Sequence, residues 1–404
     1  MLKKYYEEMK SGLEAAYQQK PRAWTMMNIQ LASTFIEAFH EDAKVVWTSF
    51  YSFPMELLAA FDVVPFDFEI FTNLLPMFDA DKAVEIMNVA EEAGYSTDIC
   101  SFHRLAVGCS MLGYTPKADL MLTSSYYCDG KSKANQSLAE HYGKESIMLD
   151  VPNEISKDSV DYVAGQLRRI AGKLTEVTGR AFDLDRLREC IRISNRARRA
   201  YGQLAGLQKV TPYPYIGVPV VNMSIFANML AGKEIQEQIY LDMVKESKEK
   251  IMKGKLVPEK YRVAWLAWFP PQPTNITQIF RENGVTIVMG ELARNYWGEL
   301  DEDLPFESLA LWSLKNPYVG PIEQRLKGIN EIVDEYKLDG VVHFSTDACR
   351  HSCAAQKLIG DALKERDVPY LVLDGDMSDK RKYSPDRTQL LLENFIGVMA
   401  GRKS

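Results

Sequence analysis

Long apolar runs, a surplus of basic charge and glycine-rich phosphate loops are all missing from this 404-residue chain. No stretch of about eighteen apolar residues occurs, so no membrane span is expected. The opening residues, Met1-Leu2-Lys3-Lys4-Tyr5-Tyr6-Glu7-Glu8, carry acids where a secretory leader needs an apolar segment, and a cytoplasmic protein is expected. The net charge of −7 argues against a nucleic-acid partner, which requires a basic face to displace counterions from phosphates. Neither standard phosphate-loop pattern appears, which weakens any nucleotide-binding reading. What remains is the composition of a soluble globular protein, 46% hydrophobic and 25% charged, too long for one ordinary core. Cysteine is scarce as well. Six in a reducing compartment point to core thiols, catalytic thiols or metal ligands rather than disulfides.

The order of apolar patterns sets the fold class. The chain reads as helical and amphipathic to about residue 45, then as a buried strand at Lys44–Phe50 followed by a helix from Pro54. Further strands are expected at Ala118–Ser124 and Ser146–Val151, with helices at Ala80–Ala93, Leu105–Leu112 and Ser132–His141. Long helices then dominate, Val160–Val177 and Leu184–Leu207. The arginines of the second, among them Arg188, Arg192, Arg196 and Arg199, recur at helical spacing and read as a solvated face rather than a phosphate site. A second alternation follows: strand Arg262–Phe269, helix Asn275–Glu282, strand Val285–Met289, an irregular stretch, and helix Pro321–Tyr336. Strand Gly340–Phe344, helix Ala354–Lys364, strand Tyr370–Leu373 and a last helix, Asp386–Met399, complete it. The expectation is an α/β protein with two doubly wound, Rossmann- or flavodoxin-like parallel-sheet domains. The boundaries expected are an N-terminal helical segment at 1–45, a first α/β domain at 46–156, a helical segment at 157–258 and a second α/β domain at 259–404.

Three cysteines sit at junctions that suit a metal site. Cys100 precedes a helix, Cys128 follows the strand ending at Ser124, and Cys349 follows the strand ending at Phe344. Open parallel sheets gather ligands at the carboxyl ends of their strands, where helix N-termini favour thiolates and anionic clusters. Cys109 and Cys190 lie within helical apolar patterns and read as core thiols. Cys353, one helical turn beyond Cys349, is a ligand, a thiol supporting the ligands, or packing. His103 and His351 lie close in sequence to Cys100 and Cys349, so the residues alone leave zinc and an iron–sulfur cluster both open.

The flanking residues add a resemblance. Ala93-Gly94-Tyr95-Ser96-Thr97-Asp98-Ile99-Cys100-Ser101-Phe102-His103-Arg104 resembles the first cluster-cysteine motif of the 2-hydroxyacyl-CoA dehydratase and benzoyl-CoA reductase superfamily. Tyr127-Cys128-Asp129-Gly130-Lys131-Ser132-Lys133 resembles the second, and Asp339–Arg350, which contains Cys349, the third. Pro369–Arg381, with Asp374-Gly375-Asp376, is similar to the C-terminal segment of the dehydratase subunits, and Ser52-Phe53-Pro54-Met55-Glu56-Leu57 to the family's substrate-side turn.

The resemblance implies a [4Fe–4S] cluster on Cys100, Cys128 and Cys349, a homologous second subunit in a heterodimer, and an ATP-dependent iron–sulfur activator protein. The implied reaction is the anaerobic loss of water from an (R)-2-hydroxyacyl-CoA through a ketyl radical. Glu56 and Ser49 are the candidate catalytic residues. Tyr51 stands where the family often has serine, and Thr346-Asp347-Ala348 precedes Cys349 where it often has Asn-Arg-Ser. The alternatives are a benzoyl-CoA reductase subunit, a double-cubane cluster protein and, in another class, a non-redox zinc-binding or thiol-core protein.

Overall fold

A computed structural model describes residues 1–49, 53–214, 228–256, 258–296, 298–346 and 348–403. Two four-stranded, all-parallel sheets organise the chain. The first contains β1 (Val45–Thr48), β2 (Val64–Asp67), β3 (Leu120–Ser124) and β4 (Ser146–Leu149), in the spatial order β2-β1-β3-β4. The second contains β5 (Tyr261–Leu266), β6 (Val285–Gly290), β7 (Gly340–Thr346) and β8 (Tyr370–Gly375), in the order β6-β5-β7-β8. The winding is the same in both. Strand order reverses between the first and third strand of each sheet, and a crevice opens at that point beyond the strands' carboxyl ends.

Continuous apolar runs form these strands because helices cover both faces of a parallel sheet. Every residue of β1, β3, β5 and β7 is buried accordingly. β2 was not anticipated, because Pro65 interrupts its run and its four residues show no alternation. Its place at the sheet edge tolerates the missing N–H, with Val46 paired to Pro65. The expected strand at Lys44–Phe50 is observed as β1; Phe50, like Tyr51, Ser52 and Asp347, lies outside the described residues.

The stretch expected to be irregular after β6 contains a helix, Pro305–Leu314. Its sequence is apolar on nearly every side and so lacks a helical period. It is buried at Phe306, Leu309, Ala310 and Leu314 and packs on the helix Lys157–Thr178. The arginines of the helix Leu184–Leu207 at helical spacing turn outward onto acids, as that spacing implied. Arg188 pairs with Asp185 at 2.8 Å, Arg196 with Glu237 at 2.8 Å and Arg199 with Glu299 at 2.6 Å. Among the described residues no helix is long and apolar enough to cross a membrane.

A polar latch ties the segment after β8 to the first sheet's helices. Asp376 folds the segment by accepting the backbone N–H groups of Ser378 and Asp379 on one carboxylate oxygen. Both terminal nitrogens of fully buried Arg104 then donate to Asp379 at 3.2 Å. Ser378 donates through its hydroxyl to Asn73 at 2.5 Å and through its backbone N–H to Ser101 at 3.2 Å. Arg381 reaches Glu91 at 2.9 Å. The latch holds the two crevices against each other.

Candidate functional site

Residues just past the carboxyl ends of four strands line one cleft between the sheets, partly open to solvent. Glu69 follows β2, Tyr127 and Cys128 follow β3, Ala267 and Trp268 follow β5, and Thr346 and Cys349 stand at the end of β7. Cys100 joins them from the connection that leads into the helix Ser101–Met111. The three cysteines, far apart in sequence, share one cleft. Each is the residue immediately before a helix: Ser101–Met111, Asp129–Tyr142 and Arg350–Cys353. The chain bends sharply to present this wall. Tyr127 and Ala267 adopt left-handed backbone angles, φ +74° and +62°, that cost non-glycine residues free energy and tend to collect at functional sites.

The thiols act on one another electrostatically. Burial pushes Cys100 well above the usual thiol range, and the negative charges of Asp376, Cys128 and Cys349 push it further. Burial and Cys128 raise Cys349 to about 12. For Cys128 burial also opposes the thiolate, but His103 overcomes it and lowers the thiol, with Nε2 3.5 Å from the sulfur. Burial disfavours charge on that imidazole, yet Cys128 and Glu69 together raise it to about 10, with Glu69 Oε1 2.8 Å from Nδ1. Gly130 leaves room for this pairing, because a Cβ there would lie 3.0 Å from His103 Nε2 and 3.8 Å from the Cys128 sulfur. Lys131 is 1% exposed, with its ammonium 5.2 Å from the ring centre of Tyr126 and 5.6 Å from that of Tyr127. Burial lowers its pKa to about 8.

A buried ion pair stands behind Cys349. Arg325 grips Glu291, the residue after β6, through two contacts of 2.6 and 3.0 Å, and donates to the carbonyl of His351 at 2.8 Å. Burial alone would raise the Glu291 pKa, but Arg325 holds it below the usual carboxylate range. Next to this pair, His343 on β7 accepts from the Tyr370 hydroxyl at Nδ1, 2.6 Å away. Its Nε2 lies 3.0 Å from the hydroxyl of Ser352, which donates to the carbonyl of Phe344. The helix turn that starts at Cys349 is thereby fixed from below.

The remaining candidates stand elsewhere. Cys109 and Cys190 are fully buried in the packing of their helices. Cys353 directs its thiol to the carbonyl of Thr346 at 2.9 Å and does not line the cleft. His351 meets Tyr318 edge-on and does not line the cleft. Ser49 is buried and shares a hydrogen bond of 3.0 Å with Thr123. Glu56 occupies a separate small cavity with Tyr201 and Tyr240, paired to Arg198 at 3.1 Å. Glu69 and Lys131 received no role from the sequence. Glu69 follows the one strand whose pattern was not legible. The signal for Lys131 was a cation in the first turn of a helix, where acids are favoured.

The family described as 2-hydroxyglutaryl-CoA dehydratase, D-component, matches residues 50–398. The (R)-phenyllactyl-CoA dehydratase alpha subunit of Clostridium sporogenes is 23% identical, covering 78% of this chain and 80% of its own length. The (R)-2-hydroxyisocaproyl-CoA dehydratase alpha subunit of Clostridioides difficile is 24% identical over 95% of this chain and 98% of its own. A benzoyl-CoA reductase subunit of Thauera aromatica is also 24% identical, over 78% of this chain and 80% of its own. With strand ends, cleft and family match in agreement, the chain belongs to the 2-hydroxyglutaryl-CoA dehydratase D-component family, within the 2-hydroxyacyl-CoA dehydratase type of hydro-lyase subunits.

Proposed function

We propose that this chain is the iron–sulfur subunit of an (R)-2-hydroxyacyl-CoA dehydratase, holding one [4Fe–4S] cluster on Cys100, Cys128 and Cys349. The observation that carries the reading is the meeting of these three thiols at one cleft beyond the carboxyl ends of two parallel sheets. The donor set suits a cluster better than a single ion. A lone zinc draws its ligands to within about 2.3 Å of one centre. Among the described residues no three His, Cys, Asp or Glu groups are arranged to hold one ion. A cubane spreads its thiolates over different irons and so accepts wider spacing. The buried ammonium of Lys131, with no hydrogen-bond acceptor among the described residues, suits a thiolate-bound cluster of net negative charge. When bound, the cluster supplies one electron and an iron open to act as a Lewis acid on a substrate oxygen.

The chain's own residues supply the setting. The helices beginning at Ser101 and Asp129 turn their N-terminal dipoles toward Cys100 and Cys128 and favour negative charge there. His103, backed by Glu69, keeps Cys128 as thiolate. Phe102, Trp268 and Met377 give the cleft an apolar lining. Glu56, held by Arg198 in a separate cavity, and Ser49, bonded to Thr123, lie outside the cleft, so neither is assigned a proton-handling role at the cluster. The absence of a phosphate loop supports ATP hydrolysis by a separate activator, and the naming of relatives as alpha subunits supports a homologous second subunit. The test is anaerobic assembly with such a subunit and an ATP-hydrolysing activator. Conversion of an (R)-2-hydroxyacyl-CoA to the enoyl-CoA is expected. Turnover by the single chain without ATP, or ring reduction of benzoyl-CoA with 2-hydroxyacyl-CoA left intact, would overturn the reading.

A further inference from the structure

Lys131 is at odds with its surroundings. It is the third residue of the helix Asp129–Tyr142, in the turn where the backbone dipole favours acids. It is 1% exposed, lines the cysteine cleft, and its ammonium has no hydrogen-bond acceptor among the described residues. The negative groups that act on it are Cys128, Glu69 and Asp67, and none accepts a hydrogen bond from the ammonium. Glu69 faces His103 at 2.8 Å, and Asp67 uses one oxygen to accept the N–H groups of Glu69 and Ile70 at 3.1 and 2.9 Å. The faces of Tyr126 and Tyr127 offset only part of the desolvation, since a cation over an aromatic ring gains far less than an ion pair. A methionine or glutamine would fill the same space without that cost. The position of the charge, on the wall shared with three thiols, indicates where its counter-charge arises.

We propose that Lys131 is the charge-stabilising residue of the cleft: its ammonium answers the negative charge added when the cysteine-held cluster takes one electron from a low-potential donor. The donor loses one electron, the cluster gains it, no bond breaks and no proton moves. The inference rests on the cluster reading above and goes beyond it by assigning this lysine the ease of reduction. A positive charge held in a water-poor site favours the reduced state, and its removal makes reduction harder.

The test compares wild type with Lys131→Met and Lys131→Arg, each loaded anaerobically and checked for iron and sulfide per chain. Each is then titrated with titanium(III) citrate while the reduced cluster is followed by electron paramagnetic resonance. The expected result is a more negative midpoint in Lys131→Met at unchanged iron content, with Lys131→Arg close to wild type. Loss of iron in Lys131→Met but not in Lys131→Arg also supports the charge role, because the two differ in charge and both lose the native shape. An unchanged midpoint in fully loaded Lys131→Met overturns the proposal, as does equal iron loss in both variants, which would mean packing alone. A wild-type chain that takes up no iron fails the cluster reading first, before the variants are compared.

Discussion

Of the arginines on the helix Leu184–Leu207, Arg198 is the one that turns into the core, 6% exposed, where it meets Glu56. It also donates to the carbonyl of Gly298 and lies 6.0 Å from the ring of Trp312. The sequence placed Glu56 in the first turn of a short helix, and either a dipole acid or a proton-handling carboxylate suits that position. The structure adds a partner that no local pattern contains, since the two residues are 142 positions apart. Glu56→Gln therefore leaves a buried guanidinium without its counter-charge. It should cost about 3 kcal/mol in urea unfolding, more than the ~0.3–1 kcal/mol of a surface dipole acid. If Glu56 also handles a substrate proton, turnover falls on the order of a hundredfold with the cluster spectrum intact. Normal turnover in the destabilised variant would confine Glu56 to holding Arg198.

Strand β7 shows how one element serves both stability and the site. It carries His343 at its centre and ends beside Cys349. Burial, with the positive charge of Arg325, lowers the His343 pKa to about 4. An unfolded chain protonates this imidazole below about pH 6.5, where the folded chain does not. The stabilisation is thus complete above pH 6.5 and is lost as pH falls toward 4. Between pH 7 and pH 5 the wild type should lose about 2 kcal/mol that His343→Asn does not lose, read from urea midpoints at the two pH values. Equal losses in the two proteins would show that His343 titrates normally. β7 was legible because its run is apolar and bounded, whereas β2 and the helix Pro305–Leu314 were not. Pro65 breaks the run of β2, and the near-continuous apolar sequence of the helix hides its period.

Across the whole molecule the two sheets repeat one winding, and the repeat explains the site. Cys128 and Cys349 occupy the same topological position, the loop after the third strand of each sheet. Glu69 and Glu291 likewise follow the second strand of each, one facing His103 and the other Arg325. The alternation of strands and helices in the sequence led to the fold class, and the rule that ligands gather at strand ends led to the three cysteines. Neither could reveal the latch of Arg104 on Asp379, which joins residues 275 positions apart. The central claim is that these three thiols hold one cluster, and iron and sulfide analysis per chain under strict anaerobiosis tests it most directly. About four irons per chain are expected in the wild type, retained in Cys109→Ala and Cys190→Ala and lost or degraded in Cys100→Ala, Cys128→Ala and Cys349→Ala. Full iron retention in Cys128→Ala would contradict it.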